Sequence, residues 1–170
     1  MGKHAPGVIV VTDTSVVLNL AWLREERLLP ALFGKVLAPP IVKAEFERLE
    51  RADPRFHGLS FPGFVSVEAP LGLPSVLTSN RDLDPGEITA LALAMERGIH
   101  NVLIDEASGR AAALALGLRP SGLLGLLVEA KARRFLGAVL PLVDRLRDEV
   151  RFRVSDELRR RIAVSAGERS

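Results

Sequence analysis

Two aspartates end strongly apolar runs of the chain, and both could hold a metal ion. Asp13 ends VIVVTD at 8–13, and Asp105 ends NVLID at 101–105. Each run is typical of a strand that is buried on both faces of a parallel sheet. Since ligands of such sheets lie outside the carboxyl ends of the strands, we expect the two carboxylates to face the same edge. Each aspartate could instead serve only as the N-cap of the helix that follows it.

Glu45 lies in a predicted helix that begins at Pro40. At about 100° per residue, Ile41, Val42 and Phe46 define the arc of this helix that faces the core. Glu45 falls inside that arc, and a glutamate that faces inward without a partner is unfavourable. Glu45 therefore needs a polar cleft or a cation, and the alternative is a buried ion pair with a distant arginine.

Glu87 has two interpretations. The spacing Asp84-Pro85-Gly86-Glu87 is that of a capping box at a helix N-terminus, so Glu87 could be purely structural. Its position also borders the predicted buried face of the helix, beside Leu91. Because the other acids are expected to converge, we include Glu87 as the fourth carboxylate of the predicted site.

A cluster of these four carboxylates predicts a site for a hard divalent cation. Two carboxylates about 5 Å apart repel by roughly 3 kcal/mol at an effective dielectric constant of about 20, so the cluster needs protons or a metal ion. The chain has no cysteine, and His4, His57 and His100 share no ligand spacing. Oxygen ligands favour Mg²⁺ or Mn²⁺ over Zn²⁺, and such ions activate water for the hydrolysis of a phosphodiester bond.

The segments that must position these residues alternate between strands and helices. This alternation predicts an α/β fold with a parallel sheet that helices cover on both faces. At 170 residues the chain has the length of a single domain, with a core at about 7–135 and further helices at about 138–163. The predicted strands are 8–13, 35–39, 64–68, 101–105 and 118–121. The predicted helices are 15–23, 25–33, 40–51, 85–97, 106–115, 122–134, 138–149 and 155–163, and the least regular part is 53–80.

Hydropathy and charge narrow the class of protein. No apolar stretch is long enough to cross a bilayer and no leader peptide is recognisable, so we expect a soluble, cytoplasmic protein. Residues 1–118 carry a net charge of −3 and residues 119–170 carry +5, and 19 of the 23 basic residues are arginine. Arginine binds phosphates well, which favours a polyanionic partner, although an arginine-rich proteome would produce the same composition.

Five blocks of the chain resemble the PIN-domain family. In chain order they are VIVVTDTSVVLNLA, PPIVKAEFERL, LDPGEITALALA, LIDEASGRAAALALGL and GLLGLLVEAKARR. The similarity is greatest to the PIN-like branch of nucleic-acid-binding and uncharacterised proteins. The resemblance implies a three-layer α/β/α sandwich with a central parallel sheet, and an endoribonuclease that needs Mg²⁺ or Mn²⁺ and cleaves single-stranded RNA.

The resemblance also assigns roles to residues. The four acids of the family, which would hold the metal ion and carry the reaction, correspond to Asp13, Glu45, Glu87 and Asp105. The hydroxyl that usually follows the first acid corresponds to Thr14 or Ser15.

Two departures from the family pattern keep a second hypothesis open. The acid just beyond Asp105 is Glu106, which as a helix-start residue could serve the helix dipole instead of a metal ion. Leucines lie between Gly122 and Gly125, where relatives commonly have a small hydroxyl residue. The alternative is therefore a PIN-like protein that binds nucleic acid or a partner protein with little or no turnover.

Basic residues are further candidates for contact with a nucleic acid. Arg110 lies one turn into a predicted helix, where it could meet a phosphate or form an i,i+4 ion pair with Glu106. Lys131, Arg133 and Arg134 could bind a nucleic-acid backbone or form a solvated helix end.

The resemblance extends to partner proteins. Many relatives are VapC-like toxins that pair with a small antitoxin, and homodimers are common among them. An antitoxin would need an exposed groove for an amphipathic segment. The apolar stretches at 15–23 and 122–130 could supply such a groove or belong to the core.

Overall fold

The computed structural model describes residues 7–169 of the chain. His4 and both ends of the predicted domain of 170 residues lie outside this described part. Contacts divide the chain into two units, one that ends at Gly122 and one that begins at Leu123.

The first unit is built on a five-stranded sheet in which every neighbouring pair of strands is parallel. Its strands are β1 (Ile9–Thr12), β2 (Lys35–Ala38), β3 (Val65–Val67), β4 (Asn101–Leu103) and β5 (Arg119–Ser121). The strand order is β3-β2-β1-β4-β5, so β1 is central and β4 is its neighbour. All five strands lie within the predicted segments.

The register of β1 and β4 fixes the edge where the predicted aspartates lie. Thr12 pairs with Leu103 at the carboxyl ends of the two strands. The N–H of Asp13 then donates to the carbonyl oxygen of Leu103 at 3.0 Å. Asp13 follows β1 directly, and Asp105 lies two residues beyond the end of β4. The chain therefore leaves both strands at the same edge of the sheet.

Helices follow the strands, as predicted. In the first unit they are α1 (Thr14–Trp22), α2 (Leu28–Leu32), α3 (Pro40–Ala52), α4 (Ser75–Thr78), α5 (Pro85–Arg97) and α6 (Ala107–Ala115), with a 3-10 turn at Pro54–Phe56. The least regular predicted segment, 53–80, holds only this turn, β3 and the single turn of α4.

Two helix signals in the sequence are confirmed. Asp84 and Glu87 form the predicted capping box at the start of α5, and Gly98 ends that helix in the left-handed conformation with φ of 63°.

On α3, Val42 and Phe46 are fully buried, as the helical arc predicts. Ile41 was also assigned to the core and is 37% exposed. It lies in the first turn of α3 and at the edge of the predicted arc, where the neighbouring structure no longer covers it.

The second unit contains three helices within the described residues, α7 (Leu123–Ala132), α8 (Leu140–Glu149) and α9 (Asp156–Ala166). The hydroxyl of Ser155 caps α9 by accepting from the N–H of Leu158 at 3.1 Å. Arg159 joins α9 to α8 through two hydrogen bonds to the carboxylate of Asp144, at 2.6 and 2.7 Å.

The all-parallel sheet and its surrounding helices confirm the predicted three-layer α/β/α fold. The buried valines of β1 and β4 explain why the central strands read as continuous apolar runs, because helices exclude water from both faces of such a sheet. None of the helices within residues 7–169 is long and apolar enough to cross a membrane.

Candidate functional site

Asp13 is a buried carboxylate at the carboxyl end of the central strand. Its side chain caps α1, where Oδ1 accepts from the N–H of Val16 at 3.1 Å. Asp13 is only 5% exposed, which is unusual for an aspartate. The capping role considered for this residue is therefore confirmed, and it leaves the second carboxylate oxygen for other contacts.

Asp13 and Asp105 are close enough to repel each other. Burial raises the pKa of Asp13 well above its usual range, and the charge of Asp105 raises it further. Hydrogen bonds from the N–H groups of Val16 and Asp105 act in the opposite direction, and the charge of Glu87 adds to the increase. The structure thus brings the two predicted aspartates together, in an environment that disfavours two negative charges.

Hydroxyl groups in the first turn of α1 hold two of the predicted acids. Ser15 Oγ donates to Asp105 Oδ2 at 2.9 Å, and Thr14 Oγ1 donates to Glu45 Oε2 at 3.0 Å. Asn19, one turn further on, donates from Nδ2 to the carbonyl oxygen of Ser15 at 2.9 Å. Both hydroxyls that the family resemblance singled out are therefore used, each for a different carboxylate.

Glu45 is half-buried and does not point into the apolar core. Its side chain is 36% exposed, and Oε1 lies 3.8 Å from the guanidinium of Arg48, one turn along α3. An exposed ion pair of this kind contributes about 0–1 kcal/mol. The predicted polar cleft is present beside Glu45, whereas the alternative of a buried pair with a distant arginine is wrong.

Glu87 is almost completely buried, with 3% exposure. Its Oε2 accepts from the N–H of Asp84 at 3.0 Å, while Oε1 has no hydrogen-bond partner among the described residues. Burial raises the pKa of Glu87, and the charges of Asp84 and Glu106 raise it further. The hydrogen bond from the N–H of Asp84 acts to lower it. The capping role is confirmed, and the orphaned Oε1 leaves a possible second role for the same side chain.

A cleft of about 240 Å³ opens between α1, α3 and the start of α5, and we call it the acidic cleft. Its carboxylates come from Asp13, Glu45, Asp84 and Glu106, and its other polar side chains from Thr14, Ser15 and Asn19. Within the described residues, neither Glu87 nor Asp105 lines the acidic cleft directly. Two of the four predicted site acids therefore line this cleft. The other two contact residues of its lining, since Asp105 accepts from Ser15 and Glu87 accepts from Asp84.

Two of the cleft acids, Asp84 and Glu106, were not predicted as site residues. Both sit at helix N-caps, of α5 and α6 respectively, and that position was sufficient to explain them in the sequence. Their placement at the same sheet edge as Asp13 was the available signal, because each directly precedes a helix whose N-terminus faces that edge.

Glycines permit the close approach of these carboxylates. A Cβ on Gly86 would lie 3.2 Å from Asp84 Oδ1 and 3.6 Å from Glu45 Oε2. A Cβ on Gly122 would lie 3.1 Å from Asp105 Oδ1. The absence of a side chain at Gly86 therefore leaves room between the acids of α3 and α5.

The donor set fits a hard cation in its chemistry but is not grouped as a finished metal site. The candidate ligands are carboxylates and hydroxyls, which suit Mg²⁺ or Mn²⁺. The repulsion between Asp13 and Asp105 and the orphaned oxygen of Glu87 are features that a cation would relieve. Over residues 7–169, however, no three His, Cys, Asp or Glu side chains are grouped closely enough to hold an ion as they stand.

Arg110 supports the site acids through the main chain. Its guanidinium donates to the carbonyl oxygen of Asp105. The i,i+4 ion pair with Glu106 that was considered for it does not form among the described residues. Arg110 therefore helps to fix the turn between β4 and α6.

Two of the other basic candidates are engaged within the second unit. Lys131 Nζ lies 2.7 Å from Glu168 Oε1, and the guanidinium of Arg133 lies 5.3 Å from the ring centroid of Phe135. Arg134 is exposed and has a left-handed backbone with φ of 64°. Of these three residues, Arg134 fits the alternative of a solvated helix end best.

A parallel open sheet with acidic residues at the carboxyl edge of its central strands defines an α/β protein, and sheets of this kind bind their ligands at that edge. The chain belongs to the PIN-domain family, since the family model described as PIN domain matches residues 9–168. No curated protein and no solved structure matches the chain. PIN domains are a nuclease-type fold, commonly nucleases that use divalent metal ions and bind nucleic acid.

Proposed function

We propose that this protein is a metal-dependent endoribonuclease of the PIN type, which hydrolyses phosphodiester bonds of single-stranded RNA with Mg²⁺ or Mn²⁺. The observation that carries the proposal is the buried Asp13 beside Asp105. Two carboxylates at one sheet edge destabilise the fold unless a proton or a cation neutralises them. A bound cation would relieve this repulsion, so we assign the pair to a metal site.

Asp13 and Asp105 would hold the metal ion, with Glu45 and Glu87 as further carboxylates of the same site. When bound, the ion would lower the pKa of a water molecule and neutralise the charge that develops on the leaving oxygen. Ser15 and Thr14 orient the carboxylates of Asp105 and Glu45 through their hydroxyl groups.

The charge of the acidic cleft also argues for metal dependence. Asp13, Glu45, Asp84 and Glu106 all line it. A phosphate that enters such a cleft meets carboxylates of its own sign and would be repelled without a counter-ion. We therefore expect the substrate to bind productively only when a divalent cation is present.

The experiment is a cleavage assay on single-stranded RNA with purified wild-type protein. We expect products with Mg²⁺ or Mn²⁺, none after EDTA, and a loss of at least about 100-fold in rate for Asp13→Asn and Asp105→Asn. Asp82→Asn is the matched control, because Asp82 is an exposed aspartate of the turn before α5. Undiminished cleavage by Asp13→Asn would refute the proposal.

A second candidate function is RNA binding without efficient turnover. It is favoured because no three His, Cys, Asp or Glu side chains within residues 7–169 are grouped closely enough to hold an ion, and because Glu87 is engaged in the cap of α5. Under this alternative the protein binds RNA in a salt-dependent way and yields no products at any concentration of Mg²⁺ or Mn²⁺. Titration of Mn²⁺ by calorimetry separates the two candidates, because only the nuclease needs a site of useful affinity.

The toxin role, the antitoxin and the homodimer belong to the same proposal. Most residues of α1 are buried, so the stretch at 15–23 serves the core and not an antitoxin groove. Growth inhibition on expression in a bacterial host, and its absence for Asp13→Asn, would support the toxin role. Light scattering on the purified protein would decide between monomer and dimer.

A further inference from the structure

The arginines of α8, α9 and the segment between these helices fall into two groups. Residues 123–169 hold 11 basic and 7 acidic residues, a net charge of +4. One group is engaged with acids: Arg145 with Glu149, Arg147 with Asp144, and Arg159 with Asp144. The other group forms no ion pair among the described residues and is exposed: Arg151, Arg153, Arg160 and Arg161.

The exposed arginines have local partners that they do not use. Asp156 and Glu157 stand four residues before Arg160 and Arg161, a spacing that permits helical ion pairs. Asp156 instead lies 3.4 Å from the guanidinium of Arg147. The ion pairs of α8 and α9 therefore neutralise acids with one set of arginines and leave the other set open to solvent.

Helix electrostatics do not explain the positions of this open set. Arg153 lies two residues before Ser155, the N-cap of α9, where the helix dipole disfavours a cation. Arg151 lies just past the end of α8, where the dipole favours a cation, but it adopts φ of 59°, a conformation that suits glycine or asparagine. Helix electrostatics thus account neither for the cation at position 153 nor for the backbone conformation of Arg151.

The four arginines are close along the chain. Arg160 and Arg161 lie about 6 and 8 Å along the axis of α9 from its first residue. Arg151 is five residues before that point, which spans at most about 18 Å. Along this segment the chain therefore spans at most about 26 Å from Arg151 to Arg161, and we call the four residues the arginine patch.

We propose that the arginine patch is a docking surface for the phosphate backbone of RNA, formed by residues of the second unit alone. The inference rests on the proposed function for the identity of the polyanion. Arginine suits this use because its guanidinium forks onto phosphate oxygens and remains charged at every accessible pH. Binding of this kind reads the backbone and not the bases, so it adds affinity without sequence preference.

The test compares two variants of the full-length protein that lose the same charge. The patch variant carries Arg→Gln at 151, 153, 160 and 161. The control variant carries Arg→Gln at 24, 51, 81 and 119, which are also exposed, lie in the first unit, and form no ion pair among the described residues. Arg24 matches Arg151 further, since it too has a left-handed backbone, with φ of 61°.

Binding of a fluorescein-labelled 20-nucleotide poly(U) RNA is measured by anisotropy in EDTA between 50 and 200 mM KCl. Each phosphate contact on a single strand contributes about 0.7 to the slope of log affinity against log salt, so four contacts contribute about 2.8. We therefore expect the wild type to lose about 50-fold more affinity over this range than the patch variant. The control variant should keep the wild-type slope, and a third variant with Arg→Lys at the patch should keep most of it.

Each outcome decides the matter. Equal losses in the patch and control variants, or no loss in the patch variant, would overturn the inference. Poly-glutamate that binds as tightly as RNA and loses affinity in the same variant would overturn RNA as the partner and indicate an acidic protein. A wild type that binds RNA through the patch but yields no products with Mg²⁺ would leave this inference intact and defeat the ribonuclease proposal.

Discussion

Ser15 Oγ donates a 2.9 Å hydrogen bond to Asp105 Oδ2, and the two residues are 90 positions apart in the chain. This bond joins the first turn of α1 to the segment that follows β4. It also helps to orient the carboxylate of Asp105. Under the proposed function Asp105 binds a metal ion, and hydrogen-bond partners of metal ligands typically affect metal affinity or activity by about 10- to 100-fold.

Ser15→Ala should therefore lower kcat/KM for the cleavage of single-stranded RNA by about 10- to 100-fold. The loss of a partly buried hydrogen bond should lower the free energy of unfolding by only about 1 kcal/mol, so the protein remains folded. Steady-state kinetics at saturating Mn²⁺, together with urea unfolding, provide both numbers.

Two controls accompany the Ser15 variant. Ser15→Thr keeps a hydroxyl at the same position and should retain more activity than the alanine variant. Ser79→Ala removes an exposed hydroxyl at the end of α4 and should change neither measurement. Full activity in Ser15→Ala would mean that Asp105 needs no support from this residue.

Local patterns in the sequence predict the elements well, because each signal acts over a few residues. Asp84 and Glu87 were recognised as a capping box from their spacing alone, and the box is present. The runs before Asp13 and Asp105 were recognised as buried strands from their apolar, branched residues, and both strands are present.

The sequence does not reveal which carboxylates face the acidic cleft. Glu87 does not line it, because its Oε2 caps α5 through the N–H of Asp84 and its Oε1 lies against Gly109 of α6, where a Cβ would not fit. Such an approach depends on residues that are far apart in the chain. The same limit explains why Ile41 is exposed. Its angle on the helix predicts burial, but that angle does not show where the rest of the protein stops covering α3.

Gly109→Ala tests this close approach. A Cβ at position 109 would lie 2.5 Å from Glu87 Oε1 and 2.6 Å from Ile104 Cγ2, so both side chains would have to move. Overpacking of this kind costs about 1–3 kcal/mol, and urea unfolding should show a destabilisation of that size. Gly125→Ala is the control, because a Cβ on this residue of α7 meets nothing within 4 Å and alanine is the better helix former.

A double-mutant cycle separates the contribution of Glu87 from that of Ile104. In a Glu87→Ala background the carboxylate is gone, so Gly109→Ala should be less destabilising by about 1 kcal/mol or more. Additive effects of Gly109→Ala and Glu87→Ala would show that the added Cβ does not clash with the Glu87 side chain.

Glu168 is expected to stabilise the second unit. It accepts from Lys131 Nζ at 2.7 Å and from the N–H groups of Val139 and Leu140 at 2.6 and 2.9 Å. Burial acts to raise the pKa of Glu168, but these hydrogen bonds hold it below its usual range. Glu168→Gln should lower the free energy of unfolding at pH 7 by about 1–3 kcal/mol, since it leaves Lys131 without its counter-ion.

The pH dependence gives a second measure of Glu168. Because its folded pKa is lowered, its contribution is present above the unfolded pKa of about 4.3 and is lost as the pH falls through the folded pKa. The difference in unfolding free energy between wild type and Glu168→Gln should therefore shrink in acid. Glu157→Gln, at an exposed residue of α9, should show a difference of only a few tenths of a kcal/mol at about pH 7.

Asp13 should have the opposite pH dependence, because its folded pKa is raised by burial and by the charge of Asp105. As the pH rises from the unfolded pKa of about 3.9 through the folded pKa, the folded state must release a proton that it holds more tightly than the unfolded state, so stability falls.

Asp13→Asn removes this charge and can still cap α1. At pH 8 in EDTA, we expect the variant to be more stable than the wild type in urea unfolding, with little difference near pH 4. Added Mn²⁺ should stabilise the wild type more than the variant, because binding to the folded state adds to its stability. Equal stability of the wild type and Asp13→Asn at both pH values, with no stabilisation of either protein by Mn²⁺, would contradict this prediction. It would show that the charge of Asp13 neither destabilises the fold nor contributes to metal binding.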